Sequence, residues 1–136
     1  MPDRYVLDSF ALLGYLQAEP SHTRVKEVIA KAAEGEAELF LCTINYGEVL
    51  YQVERRRGPW AVKRAIAIID RLPITVVDAS CSLTFMAAHI KAGHAISYAD
   101  AFAVALAQDW GATILTGDPE FKEVEHLIPI EWLPSA

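Results

Sequence analysis

Ser97-Tyr98-Ala99-Asp100-Ala101-Phe102-Ala103-Val104-Ala105-Leu106-Ala107-Gln108-Asp109-Trp110-Gly111, continued by Ala112-Thr113-Ile114-Leu115-Thr116-Gly117-Asp118, decides the fold. Ser97 heads a strongly apolar run and Gly111 stands just past its end, which predicts a helix over 97–110 with a serine cap and a glycine stop. A helix this apolar belongs in the interior. Residues 113–116 are then β-prone, and an acid follows two positions later. A buried helix leading into a short apolar strand is the unit of a parallel sheet covered by helices.

Working outward, the same alternation runs along the chain. Further β-prone runs occupy 4–7, 39–42, 74–77 and 130–133. Helical stretches lie between them. One over 10–16 follows the first strand directly, and another opens at Pro20-Ser21 with Val25, Val28, Ile29 and Ala32 at helical spacing and Gly35 as its stop. Thr43 is the expected N-cap of a helix with Tyr46, Val49, Leu50 and Val53 on one face, ending near Gly58-Pro59. The stretch 60–72 carries Val62, Ile66, Ile69 and Leu72 and is stopped by Pro73. The stretch 79–92 turns Leu83, Met86, Ala87 and Ile90 inward and closes at Gly93. The expected class is α/β, with a central, mostly parallel sheet of about five strands flanked by helices on both faces. No repeat, low-complexity tract or linker interrupts the pattern, so residues 1–136 are expected to form a single domain.

Composition agrees. Of 136 residues, 53% are hydrophobic and 22% charged, which excludes a disordered tail. Cys42 and Cys81 lie in apolar surroundings with no CxxC or Cys/His cluster, so a structural zinc site is excluded and a reducing, cytoplasmic setting is expected. Apolar runs such as 74–77 fall far short of the ~20 residues that span a bilayer. The N-terminal run meets Asp8 after three apolar residues, which does not suit a signal peptide. Twelve basic against 18 acidic residues leave a net charge of −6. That balance excludes holding nucleic acid by bulk positive charge, but not gathering carboxylates around cations.

Four acids fall where such a gathering would occur. Asp8 ends the first strand, and Asp118 stands in the same relation to the strand over 113–116. In an open parallel sheet, ligand sites lie beyond the carboxyl ends of the strands. Glu48, early in its helix, leans back toward that edge, and Asp100 sits in the first turn of the 97–110 helix. Each also has a plainer reading. Asp100 fits a capping box with Ser97, Asp118 fits an ordinary turn before Pro119, and Glu48 fits a solvated helix face. Asp8 is harder to explain away, because an acid closing an apolar strand is poorly placed for solvent. Converging carboxylates repel, and hard divalent cations remove the conflict.

Taken in order, Tyr5-Val6-Leu7-Asp8-Ser9, Asn45-Tyr46-Gly47-Glu48, Ser97-Tyr98-Ala99-Asp100-Ala101-Phe102 and Leu115-Thr116-Gly117-Asp118-Pro119-Glu120-Phe121 resemble the successive motifs of PIN-domain ribonucleases. The likeness is to the VapC-type toxins of toxin–antitoxin pairs and runs from Asp8 to Phe121. It implies a PIN-like domain in which Asp8, Glu48, Asp100 and Asp118 form an acidic quartet dependent on Mg²⁺ or Mn²⁺. Asp8 and Asp100 would be the main ligands, with Glu48 and Asp118 completing the set. Ser9 and Thr116 match hydroxyl positions that support the acids, and Asn45 matches a polar helix-start residue with a supporting or capping role. Glu120 is left outside the set. The implied reaction is metal-assisted hydrolysis of an RNA phosphodiester, with none of His22, His89, His94 and His126 in a motif. A cognate antitoxin, a homodimer and a cytoplasmic location are implied with it.

The one dense basic cluster, Arg55-Arg56-Arg57, lies at the far end of the helix carrying Glu48. It reads equally as an RNA contact and as a solvated end that complements the helix dipole. Tyr15, Tyr46, Phe85 and Phe102 are expected in the core rather than stacked on bases. Two rival classes remain. A haloacid-dehalogenase-like phosphatase also places an Asp after its first strand, but it needs a second acid two residues on, where this chain has Phe10. A non-catalytic PIN-fold interaction module would not need the quartet intact.

Overall fold

The computed structural model describes residues 2–134. Strands β1 (Asp3–Leu7), β2 (Ala37–Cys42), β3 (Ile74–Val77), β4 (Thr113–Thr116) and β5 (Ile130–Trp132) form one sheet in the order β3-β2-β1-β4-β5. Every pairing is parallel. The strand limits depart from the sequence expectation by one or two residues at most. Six helices connect and cover the strands: α1 (Ser9–Leu16), α2 (His22–Ala33), α3 (Thr43–Arg57), α4 (Pro59–Asp70), α5 (Cys81–Gly93) and α6 (Tyr98–Trp110). A 3-10 helix, Pro119–Val124, follows β4 and was not legible in the sequence.

Side-chain alternation along the strands builds two cores. Val6 points with Phe40 and Ile114 toward α5 and α6, whereas Tyr5 and Leu7 point with Leu39, Leu41 and Leu115 toward α1 through α4. Residues 101–107 of α6 are all buried, as its composition predicts. Gly111 closes α6 in the left-handed conformation, at φ 62° and ψ 43°, where a side chain would be strained.

Three local expectations are corrected. Cys42 rather than Thr43 is the N-cap residue of α3. The Thr43 hydroxyl instead accepts from the Ala79 amide at 3.1 Å, tying the start of α3 to the segment before α5. Phe85 is 72% exposed, because α5 turns Leu83, Ala87 and Ile90 inward and a residue two places after Leu83 falls on the opposite face. Cys81, at the first position of α5, is exposed as well, while Cys42 is buried. Phe102 is buried and Tyr15 and Tyr46 are half-buried, in line with a core role.

The strand order sets the location of the site. From β1 the chain builds β2 and β3 on one side, then crosses to build β4 and β5 on the other. The reversal falls between β1 and β4, and a crevice opens beyond their carboxyl ends.

Candidate active site

Asp8 is the first residue beyond β1 and the N-cap of α1. One carboxylate oxygen, Oδ1, accepts from the Ala11 amide at 2.9 Å, and Oδ2 accepts from the Thr116 hydroxyl at the end of β4. Thr116 Oγ1 in turn accepts from the Asp118 amide at 3.0 Å. One buried hydroxyl thus joins the two strand ends that flank the crevice. Gly117 permits the close approach, since a Cβ there would lie 2.4 Å from Cε1 of Phe10.

Asp100 enters from α6. Its amide donates to Ser97 Oγ at 3.1 Å, but its carboxylate does not close the capping box. The Ser97 amide donates instead to Glu120 Oε1 at 2.6 Å, across 23 residues. The long-range partner takes the capping task and leaves the Asp100 carboxylate facing the cleft. Asp118 Oδ1 accepts from the Glu120 amide at 2.9 Å and so caps the 3-10 helix. Carboxylate oxygens of Asp100, Asp118 and Glu120 all lie within 4.8 Å of one another. Glu120, set aside on sequence, therefore belongs to the cluster. Its sequence signal was its place in the fourth motif, two residues after Asp118.

Ser9 and Glu48 line the same cleft, which encloses about 380 Å³. Glu48 Oε1 is buried without a hydrogen-bond partner. Asn45, fully buried, donates from Nδ2 to the Ala99 carbonyl at 3.1 Å and leaves its Oδ1 unpartnered. It does not cap α3; it ties α3 to the first turn of α6, beside Asp100. Glu19 and Gln52 also face the cleft, and no local pattern marks either of them.

The arginine cluster divides. Arg56 lines the cleft, its Nη1 donating to Gln17 Oε1 at 2.8 Å. Arg55 stacks over the Tyr51 ring at 4.8 Å, and Arg57 turns to an apolar groove beside Leu16, Val53 and Ala61.

Burial and like charge shape the electrostatics. Burial pushes the Asp8 carboxyl up to about 8; the hydrogen bonds from Thr116 and Ala11 oppose the rise, and the charges of Asp100 and Asp118 add to it. Asp100 is raised to about 7, again mainly by burial, with Asp118, Glu120 and Glu48 adding repulsion against the pull of Ser97. The donor set is all hard oxygen, with one buried carboxylate oxygen still unpartnered, which suits a hard divalent cation.

Comparison with known proteins agrees with this architecture. A solved structure of VapBC2 from Rickettsia felis, bound to a DNA fragment from its promoter, superimposes with a TM-score of 0.74 at 20% identity, covering 96% of this chain and 99% of the other. VapC20 of Mycobacterium tuberculosis, a toxin that cleaves the sarcin–ricin loop, gives 0.72 at 19% identity over 88% and 94% of the two chains. The DNA-bound VapBC of Salmonella typhimurium gives 0.72 at 19% identity over 96% and 98%. At such identities the likeness speaks for the fold. No curated protein matches the sequence. The PIN domain family pattern matches residues 5–127. With the parallel sheet, the acids at its switch point and this match in agreement, the chain belongs to the PIN domain family.

Proposed function

We propose that this chain is an endoribonuclease dependent on Mg²⁺ or Mn²⁺ and the toxin of a toxin–antitoxin pair. The observation that carries the proposal is the convergence of Asp100, Asp118 and Glu120 oxygens within 4.8 Å, next to Asp8 at the reversal point of the sheet. Asp8, Glu48, Asp100 and Asp118 would hold the cations, with Glu120 beside them. When bound, divalent ions lower the pKa of a water and stabilise the leaving oxygen of an in-line displacement.

The protein's own groups prepare that chemistry. Thr116 and the Ala11 amide hold the Asp8 carboxylate in one orientation, and Asn45 ties α3 to α6, the helices that bring Glu48 and Asp100 to one cleft. Glu48 keeps one oxygen free to coordinate a cation or to accept a hydrogen bond from the attacking water. Ser9 supplies a further hydroxyl on the cleft wall. Arg56, held by Gln17, is the cation positioned to meet an RNA phosphate in an otherwise acidic cleft; Arg55 and Arg57 are secondary to it. Hydrolysis breaks the phosphodiester P–O bond to the leaving ribose oxygen as the water oxygen bonds to phosphorus.

A cognate antitoxin is the proposed partner, in keeping with the VapBC toxin–antitoxin complexes among the structural relatives. A homodimer, a cytoplasmic site of action and a single domain over 1–136 complete the reading. No helix among the described residues is long and apolar enough to cross a membrane. The phosphatase alternative finds no support, since the Phe10 ring packs against Gly117 where that chemistry needs a second acid.

The test is cleavage of structured RNA by the purified chain. Activity is expected with Mg²⁺ or Mn²⁺, and loss with EDTA. Turnover unaffected by EDTA and by Asp100→Asn would overturn the assignment.

A further inference from the structure

His94 and His126 lie outside the acid cluster and have no part in the reaction above. His94 caps the end of α5, and His126 follows the 3-10 helix. Their Nε2 atoms approach to 3.3 Å, with ring centroids 5.3 Å apart and planes inclined at 37°. His94 Nδ1 lies 2.8 Å from the Ile90 carbonyl. A carbonyl only accepts, so in the neutral ring Nδ1 carries the hydrogen and Nε2 presents its lone pair toward His126.

We propose that this pair is a second cation site, for imidazole-preferring divalent metals such as Zn²⁺ rather than Mg²⁺. Two nitrogens each ~2.0–2.1 Å from one tetrahedral metal stand about 3.3–3.4 Å apart, so the rings already have the separation that a shared ion requires. A backbone carbonyl holding the far nitrogen of a ligating histidine is the usual way its ring is oriented and its tautomer set. Water would complete the coordination. Donor chemistry separates the two sites, because imidazole suits zinc, nickel and copper while carboxylates suit magnesium and manganese.

Position gives the site a consequence. His94 lies three residues before Ser97, and His126 six residues after Glu120. The Ser97–Glu120 hydrogen bond and the His94–His126 contact both tie these segments, which carry Asp100 and Asp118. An ion shared by the histidines would turn the weaker of these ties into a firm one, holding the start of α6 against the 3-10 helix.

The experiment is calorimetric titration of the full-length chain, free of any histidine tag, with Zn²⁺ in excess Mg²⁺. The wild type is expected to bind one Zn²⁺ per chain and to gain melting temperature. His126→Gln and His94→Gln, checked for native circular dichroism, should each weaken binding at least tenfold and lose the thermal gain. Asp100→Asn should keep both, which makes the outcome independent of the nuclease proposal. Absence of Zn²⁺ binding, unchanged binding in His126→Gln, or loss of binding in Asp100→Asn would overturn the site.

Discussion

Away from the crevice, charges stand in opposed pairs. Arg4 Nε donates to Glu38 Oε1 at 3.2 Å and its Nη1 to the Trp110 carbonyl at 2.9 Å, while Arg24 grips both oxygens of Glu131 on β5 at 2.6 and 3.0 Å. Where the strands finish, like charges crowd together, with Asp8 and Asp100 almost wholly buried and Asp118 and Glu120 beside them. The ionisation of the acids follows. Arg24 holds Glu131 below its ordinary value, whereas burial and repulsion hold Asp8 and Asp100 far above theirs. One region is compensated within the chain and serves stability. The other crowds acids around a cleft with Arg56 as its one basic lining residue, which is the arrangement the proposed cation site calls for.

The sharpest way to break this contrast is Asp100→Asn. RNA cleavage should fall by about 10²–10³-fold, on the scale of removing one preorganised electrostatic contact, while the melting temperature of the metal-free protein holds or rises because a repulsive charge is gone. A large drop in stability would mean that Asp100 serves the fold instead.

The two regions should also respond oppositely to pH. Asp8 and Asp100 have folded values of about 8 and about 7 against an ordinary 3.8, so the folded chain holds more protons than the unfolded chain across that interval. Their contribution is full below 3.8 and is lost as pH rises through about 7 and then about 8. Glu131 works the other way, its contribution being present above the ordinary 4.5 and lost as pH falls. Thermal melts of metal-free protein should therefore weaken toward alkaline pH, and saturating Mn²⁺ should flatten that slope by binding the ionised form.

Smaller effects sharpen the picture. Thr116→Val leaves a buried Asp8 oxygen without its donor and should cost about 1–3 kcal/mol in denaturant melts. The same change should weaken Mn²⁺ binding by about 10–100-fold. Arg56→Gln should raise KM for RNA about tenfold with kcat little changed, the mark of lost ground-state binding. Least of all, Glu131→Gln should cost about 1 kcal/mol or less, because the pair is partly solvated, and should leave cleavage untouched. A measurable loss of cleavage there would show that the two regions are coupled.

Much of this architecture was legible in local sequence, for reasons that are themselves local. Strand β4 and the start and stop of α6 could be read from β-propensity, a serine cap and a glycine that tolerates φ 62°. Asp8 was legible because an acid ending an apolar strand has few other uses. Phe85 was misread by weighing its aromatic type over the spacing of Leu83, Ala87 and Ile90, which already turned it outward, and Thr43 because its hydroxyl found a partner 36 residues away.

The chain's own order of residues determined its α/β class, its parallel strands and the acids that follow them, since short-range sterics and side-chain periodicity act within a few residues. Tertiary structure alone decided which hydroxyl holds Asp8 from 108 positions away, that Glu120 relieves Asp100 of its capping task, that Arg56 and not its neighbours faces the cleft, and that two histidines 32 residues apart meet. Those pairings depend on how the chain crosses the sheet, and no window of neighbouring residues contains both partners.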